Sequence, residues 1–141
     1  MSVVENYVAP QSIEDAAAVL AAGSVTIVAG GTDLMIQGKA DKSKYEPTLM
    51  NVRHIAEMRD VSIEGDALQI GALTTITDLL TDEIITKHLP VLADMADKFA
   101  SNQIRNAGTV GGNICNASPA GDSLVPLLMY EAEAVLVSSK G

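Results

Sequence analysis

The sequence predicts an α+β fold. Short β-branched runs and helical runs are mixed along the chain. Two apolar stretches flank Glu64-Gly65-Asp66 as the arms of a local hairpin. A regular strand–helix alternation of the doubly wound kind is not seen.

The elements follow in order. Tyr7-Val8-Ala9-Pro10 reads as a short extended segment. Ser12 caps a helix with Asp15 three residues on, and Ile13, Ala16, Ala17, Val19 and Leu20 form its apolar side. Gly23 ends it. Val25 to Ala29 is rich in β-branched residues and reads as a buried strand that stops at Gly30-Gly31. A helical turn is expected near Thr32-Asp33, a second strand from Pro47 to Val52, and a helical turn from His54 to Met58. Val61 to Ile63 and Ala67 to Ala72 make the hairpin. Thr75 to Leu80 reads as helical, with Thr75 or Thr77 as cap. A stronger helix is expected from His88 to Ala100, with Pro90 near its first turn. A helix from Ser123 to about Tyr130 leads to a last strand, Ala134 to Ser138. Ser139-Lys140-Gly141 then looks like a turn whose return strand is missing, so the chain reads as a fragment.

Composition narrows the function. With 141 residues and 48% apolar content there is material for a folded core. Nine basic against eighteen acidic residues give a net charge of -9. That disfavours a nucleic-acid groove and an anionic membrane surface. No apolar run approaches the roughly 20 residues of a membrane-crossing helix. Met1-Ser2-Val3-Val4-Glu5 has no basic n-region or apolar h-region, so no signal peptide is read and a cytoplasmic location is expected. One cysteine, Cys115, cannot supply the four ligands of an iron–sulfur cluster. It reads as a small buried filler. His54 and His88 lack metal-ligand spacing and read as surface or cap residues, and no metal site is expected. Asp60, Glu64, Asp66, Asp82 and Glu83 read as a solvated face.

Two glycine segments carry the chemistry. One is Val28-Ala29-Gly30-Gly31-Thr32-Asp33-Leu34, the other Thr109-Val110-Gly111-Gly112-Asn113. Glycine allows φ > 0 and close approach of a ligand. Successive N–H groups in such a turn form a nest for phosphate oxygens, and a following helix N-terminus adds to it. Thr32 and Thr109 bring hydroxyl donors. Two such loops can hold a pyrophosphate without lysine. Neither the P-loop pattern nor the Rossmann G-x-G-x-x-G is present. Taken singly, each glycine pair is also a turn signal, and Asp33 and Asp122 are also helix caps. Arg105 reads as a surface or structural pair, or as facing the pyrophosphate or a partner.

Together with Ile70-Gly71-Ala72-Leu73-Thr74-Thr75 and Gln103-Ile104-Arg105-Asn106-Ala107-Gly108, these segments resemble the FAD-binding subunit of the molybdenum hydroxylases. That family includes xanthine dehydrogenase and the medium subunit of aerobic carbon monoxide dehydrogenase. The similarity runs from Tyr7 to Ser138, and Asn113-Ile114-Cys115-Asn116-Ala117-Ser118-Pro119 is most similar to the bacterial xanthine dehydrogenase-like subunits.

The resemblance implies the N-terminal portion of a vanillyl-alcohol-oxidase (PCMH)-type FAD-binding domain over residues 1–141. Its two small α/β subdomains would fall near residues 1–53 and 54–141. It implies non-covalent FAD, held by Val28, Ala29, Gly30, Gly31, Thr32, Asp33 and Leu34 from one side and by Thr109, Gly111, Gly112 and Asn113 from the other. Asp122 would hydrogen-bond the ribityl or flavin region, and Phe99 would contact the cofactor. The molybdenum cofactor and the iron–sulfur (2Fe–2S) clusters would belong to partner subunits. Electrons would pass from them through FAD to NAD or another acceptor. No catalytic acid or base is implied in this chain, because the flavin does the redox chemistry. Family members are longer, with a further part of the FAD domain and a C-terminal domain. Two alternatives stand beside this: an assembly fragment that docks partner subunits without flavin, and a different flavoprotein on the same fold.

Overall fold

A computed structural model describes residues 4–39 and 45–141. Met1, Ser2 and Val3, part of the stretch read for a signal peptide, lie outside the described residues. The chain divides into two compact units: Met1–Glu57 with Val135–Gly141, and Met58–Ala134.

The first unit is built on a three-stranded parallel sheet. Its strands are β1 (Asn6–Val8), β2 (Val25–Val28) and β3 (Thr48–Asn51), in the order β1-β3-β2. Tyr7 pairs with Leu49, and Val28 with Asn51. Parallel neighbours need crossover connections. The helix α1 (Ile13–Ala21) lies between β1 and β2, which flank β3 on opposite sides, and α2 (Leu34–Lys39) lies in the connection from β2 to its neighbour β3. Ser12 caps α1 as its sequence predicts, its hydroxyl oxygen accepting the Asp15 N–H at 3.1 Å. The Glu57 carboxylate takes the Ile13 N–H at 2.8 Å. Gly23, at φ +79°, turns the chain out of the helix. β3 is central, and its Met50 is fully buried. β2 is not the buried strand its residues predict: Ile27 is 48% exposed, because β2 lies at a sheet edge. The turn expected from His54 to Met58 is a 3-10 helix at Ala56–Met58, behind the buried Ile55.

The expected strand from Ala134 to Ser138 is not formed. Val135 is 90% and Leu136 85% exposed. A β-branched run becomes a strand only where a neighbour takes its backbone hydrogen bonds, and no strand of the described residues does so. The turn after it is present, with the Gly141 N–H donating to the Ser138 carbonyl at 3.2 Å.

The second unit opens with the hairpin β4 (Val61–Glu64) and β5 (Ala67–Ile70), antiparallel around Gly65 at φ +61°. Then come α3 (Ile76–Thr81), α4 (Glu83–His88), α5 (Pro90–Lys98), α6 (Asn102–Ala107), α7 (Val110–Cys115) and α8 (Leu124–Met129). Thr75 and Asp78 form a reciprocal capping box on α3. Asp82 caps α4 through the N–H groups of Ile84 and Ile85, at 2.8 and 3.0 Å, so it is a structural residue and not merely part of a solvated face. The helix expected from His88 starts instead at Pro90, and His88 closes α4. Proline disfavours helical backbone in the residue before it, and Leu89 sits at φ -128°, ψ 54°. Neither α4 nor α6 was expected. Each is six residues long, too short to show a helical period. Ile76, Leu79, Ile85, Leu92, Ala93, Ala96 and Val110 form the core of this unit.

Candidate functional site

The first glycine segment joins β2 to α2. Gly31 is at φ +69°, a left-handed conformation that favours glycine. Its carbonyl accepts the Met35 N–H at 3.2 Å, and the Asp33 carbonyl accepts those of Ile36 and Gln37, at 3.0 and 2.9 Å. The N–H groups of residues 30–34 donate to no acceptor among the described residues. A row of unspent donors around a positive-φ glycine is what a phosphate nest requires. The Asp33 carboxylate accepts the Gln37 side-chain amide. Thr32 is half-buried.

The second segment differs from the nest that its sequence predicts. Thr109 forms an isolated antiparallel bridge with Thr75 and then caps α7. The Val110 N–H donates to Thr74 at 3.0 Å and the Gly111 N–H to Ala72 at 2.8 Å. The Gly112 N–H goes to the Thr109 hydroxyl oxygen at 3.1 Å, and the Asn113 N–H to the Thr109 carbonyl at 2.9 Å. Four successive donors are thus committed within the protein, and no backbone nest is left.

The glycines here serve packing. A Cβ on Gly111 would stand 2.8 Å from both the Cβ and the carbonyl oxygen of Ala72. A Cβ on Gly71 would overlap the Met58 carbonyl. The Ile70 to Thr75 and Gln103 to Asn113 segments, separate in sequence, are hydrogen-bonded to each other. Gly112 is exposed.

Asn113 and Asp122 are brought together through Ser123. Ser123 is fully buried, and its hydroxyl donates to the Asn113 Oδ1 at 2.5 Å. Asp122 is exposed and its carboxylate has no partner among the described residues. It does not act as the side-chain cap of α8, because Ser123 occupies that position and makes no capping bond either.

Other residues fall elsewhere. Phe99 packs against the core of the second unit. Arg105 is structural: its guanidinium donates to the carbonyls of Asp97 and Phe99, at 3.0 and 2.9 Å, and to the Asn102 side chain, closing the C-terminal end of α5. Cys115 is exposed, not a buried filler, because it ends a short helix whose outer side is open to solvent. His54 and His88 are exposed. An open depression of about 590 Å³ is lined by Arg59, Asp60, Ser62, Asp78 and Asp82 among others, and includes none of the expected site residues. Among the described residues no cluster of three or more His, Cys, Asp or Glu is placed to hold a metal, and no helix is long and apolar enough to cross a membrane.

This arrangement matches a defined class. Residues 2–141 match the family described as FAD binding domain in molybdopterin dehydrogenase, and the chain belongs to that family. It is 40% identical over 116 residues to the xanthine dehydrogenase FAD-binding subunit of Escherichia coli O157:H7, covering 82% of this chain and 39% of that one. It is 34% identical over 137 residues to the carbon monoxide dehydrogenase medium chain of Hydrogenophaga pseudoflava, covering 96% of this chain and 47% of that one. A crystal structure of the Cu,Mo-CO dehydrogenase in its cyanide-inactivated form superposes with a TM-score of 0.83 at 32% identity, covering 92% of this chain and 45% of that one. The α+β class and the FAD-binding domain expected from the sequence are therefore shown. The chain spans less than half the length of these relatives.

Proposed function

We propose that this chain is the FAD-gripping portion of an oxidoreductase subunit in a molybdenum hydroxylase. The observation that carries the proposal is the row of unspent N–H groups at residues 30–34 around Gly31. They would take the pyrophosphate oxygens, with the α2 N-terminus behind them. Val28, Ala29 and Leu34 would frame that turn. In the second unit, Asn113 and Asp122 would offer an amide donor and a carboxylate acceptor to the ribityl and flavin parts. Bare Gly112 would let a flat ring come close. Thr109 and Gly111 would hold that surface in shape, and Phe99 would support it from the core. FAD held there would supply the redox chemistry, between iron–sulfur clusters of one partner subunit and NAD or another acceptor. Substrate hydroxylation would belong to a molybdenum-cofactor subunit. Residues 1–141 are the N-terminal part of this FAD domain, in a cytoplasmic assembly.

The test is the absorption spectrum of the purified protein after FAD addition and desalting. A retained flavin band, released by acid, is expected. Gly31→Leu and Gly112→Leu should each abolish retention. Undiminished binding in both variants would sink the loop assignment.

A further inference from the structure

We infer that Ser123 is a positioning residue for FAD, acting by fixing the orientation of the Asn113 side chain. This rests on the proposed FAD-binding function.

Ser123 is at 0% exposure, and it begins α8 without making a side-chain cap bond. Both of its donors reach one atom instead: its hydroxyl lies 2.5 Å and its backbone N–H 3.3 Å from the Asn113 Oδ1. A backbone N–H can only donate, so the atom it meets must be the amide oxygen. The amide of Asn113 is thereby held in one of its two flipped forms. Its Oδ1 faces Ser123, and its Nδ2 group has no partner among the described residues. Asn113 is half-buried and lies next to exposed Gly112.

A half-buried NH2 group without a protein partner is left to solvent or to a ligand acceptor. Here it can be met by an acceptor on a ligand, such as a flavin carbonyl or a ribityl or phosphate oxygen. Without the Ser123 hydroxyl only the longer backbone N–H contact, at 3.3 Å, still holds the Asn113 Oδ1, so the amide is less firmly oriented and its NH2 group is presented to the ligand for less of the time. Ser123 thus acts through Asn113 and need not touch the cofactor.

The experiment is FAD titration of the 141-residue chain by flavin fluorescence, with thermal melting of each apoprotein alongside. Ser123→Ala is expected to weaken FAD binding about tenfold, as expected for one misdirected hydrogen bond. Asn113→Asp keeps an acceptor for Ser123 but removes both donors, and should weaken binding at least as much. In the Asn113→Asp background, Ser123→Ala should then add little further loss. Equal and additive losses that track the melting temperatures would mean a merely structural serine and overturn the inference, as would unchanged binding by Ser123→Ala. Failure of the unsubstituted chain to bind FAD would overturn the proposed function and this inference with it.

Discussion

Gly31 and Gly111 stand in similar-looking glycine pairs, yet they are required for different reasons. Gly31 is fixed by its φ of +69°, with only ordinary contacts around the place of a Cβ. Gly111 is fixed by space, because Ala72 is packed against it. Gly31→Ala should therefore cost only about 1 kcal/mol of stability, while sharply reducing FAD retention. Gly111→Ala should cost roughly 1–3 kcal/mol by overpacking. Urea melts of the two apoproteins check these costs, and a larger loss for Gly31→Ala than for Gly111→Ala would contradict them. By sequence both glycine pairs belong on the cofactor for one shared reason, the nest. In the second segment those donors are spent within the protein, and only the first keeps unspent ones. Whether a backbone donor is free depends on which carbonyl folds back onto it, and residues 109–113 do not encode the position of Ala72 and Thr74. Ser123 was legible only as the start of a helix, because nothing local marks it as buried against Asn113.

The elements that were legible are those with their own local signals. Ser12 and Thr75 each stand three residues before an aspartate and both cap helices, which settles the choice between Thr75 and Thr77. Glu64-Gly65-Asp66 turns a hairpin. Thr75→Ala removes half of a reciprocal capping box and should lower stability by about 1 kcal/mol. Circular dichroism melts would show it, and an unchanged midpoint would mean that tertiary packing alone holds α3. Elements whose state depends on neighbours differ from what their residues predict. β2 was expected buried and lies at an edge. Ala134 to Ser138 has strand-forming residues but no partner strand among the described residues. α4 and α6 are held by capping and packing more than by any period of their own.

Across the whole molecule, the two glycine segments lie in different compact units, the first in Met1–Glu57 and the second in Met58–Ala134. FAD binding should stabilise the native chain by mass action. At a free FAD concentration a hundredfold above Kd, the gain is about 2.7 kcal/mol, read as a rise in the thermal midpoint. A rise that survives Gly31→Leu but not Gly112→Leu, or the reverse, would show that one unit does the binding. The net charge of -9 favours no nucleic acid, and the acidic residues Asp60, Glu64, Asp66 and Glu83 are indeed exposed.

The sequence alone determined the family, the α+β class and the caps and turns, because each rests on residue types at short fixed spacings. The tertiary structure decided which glycine loop keeps free donors, that Arg105 serves a helix end, and that Ser123 grips Asn113. Each of these depends on a contact between residues that only the packed chain brings within hydrogen-bond reach.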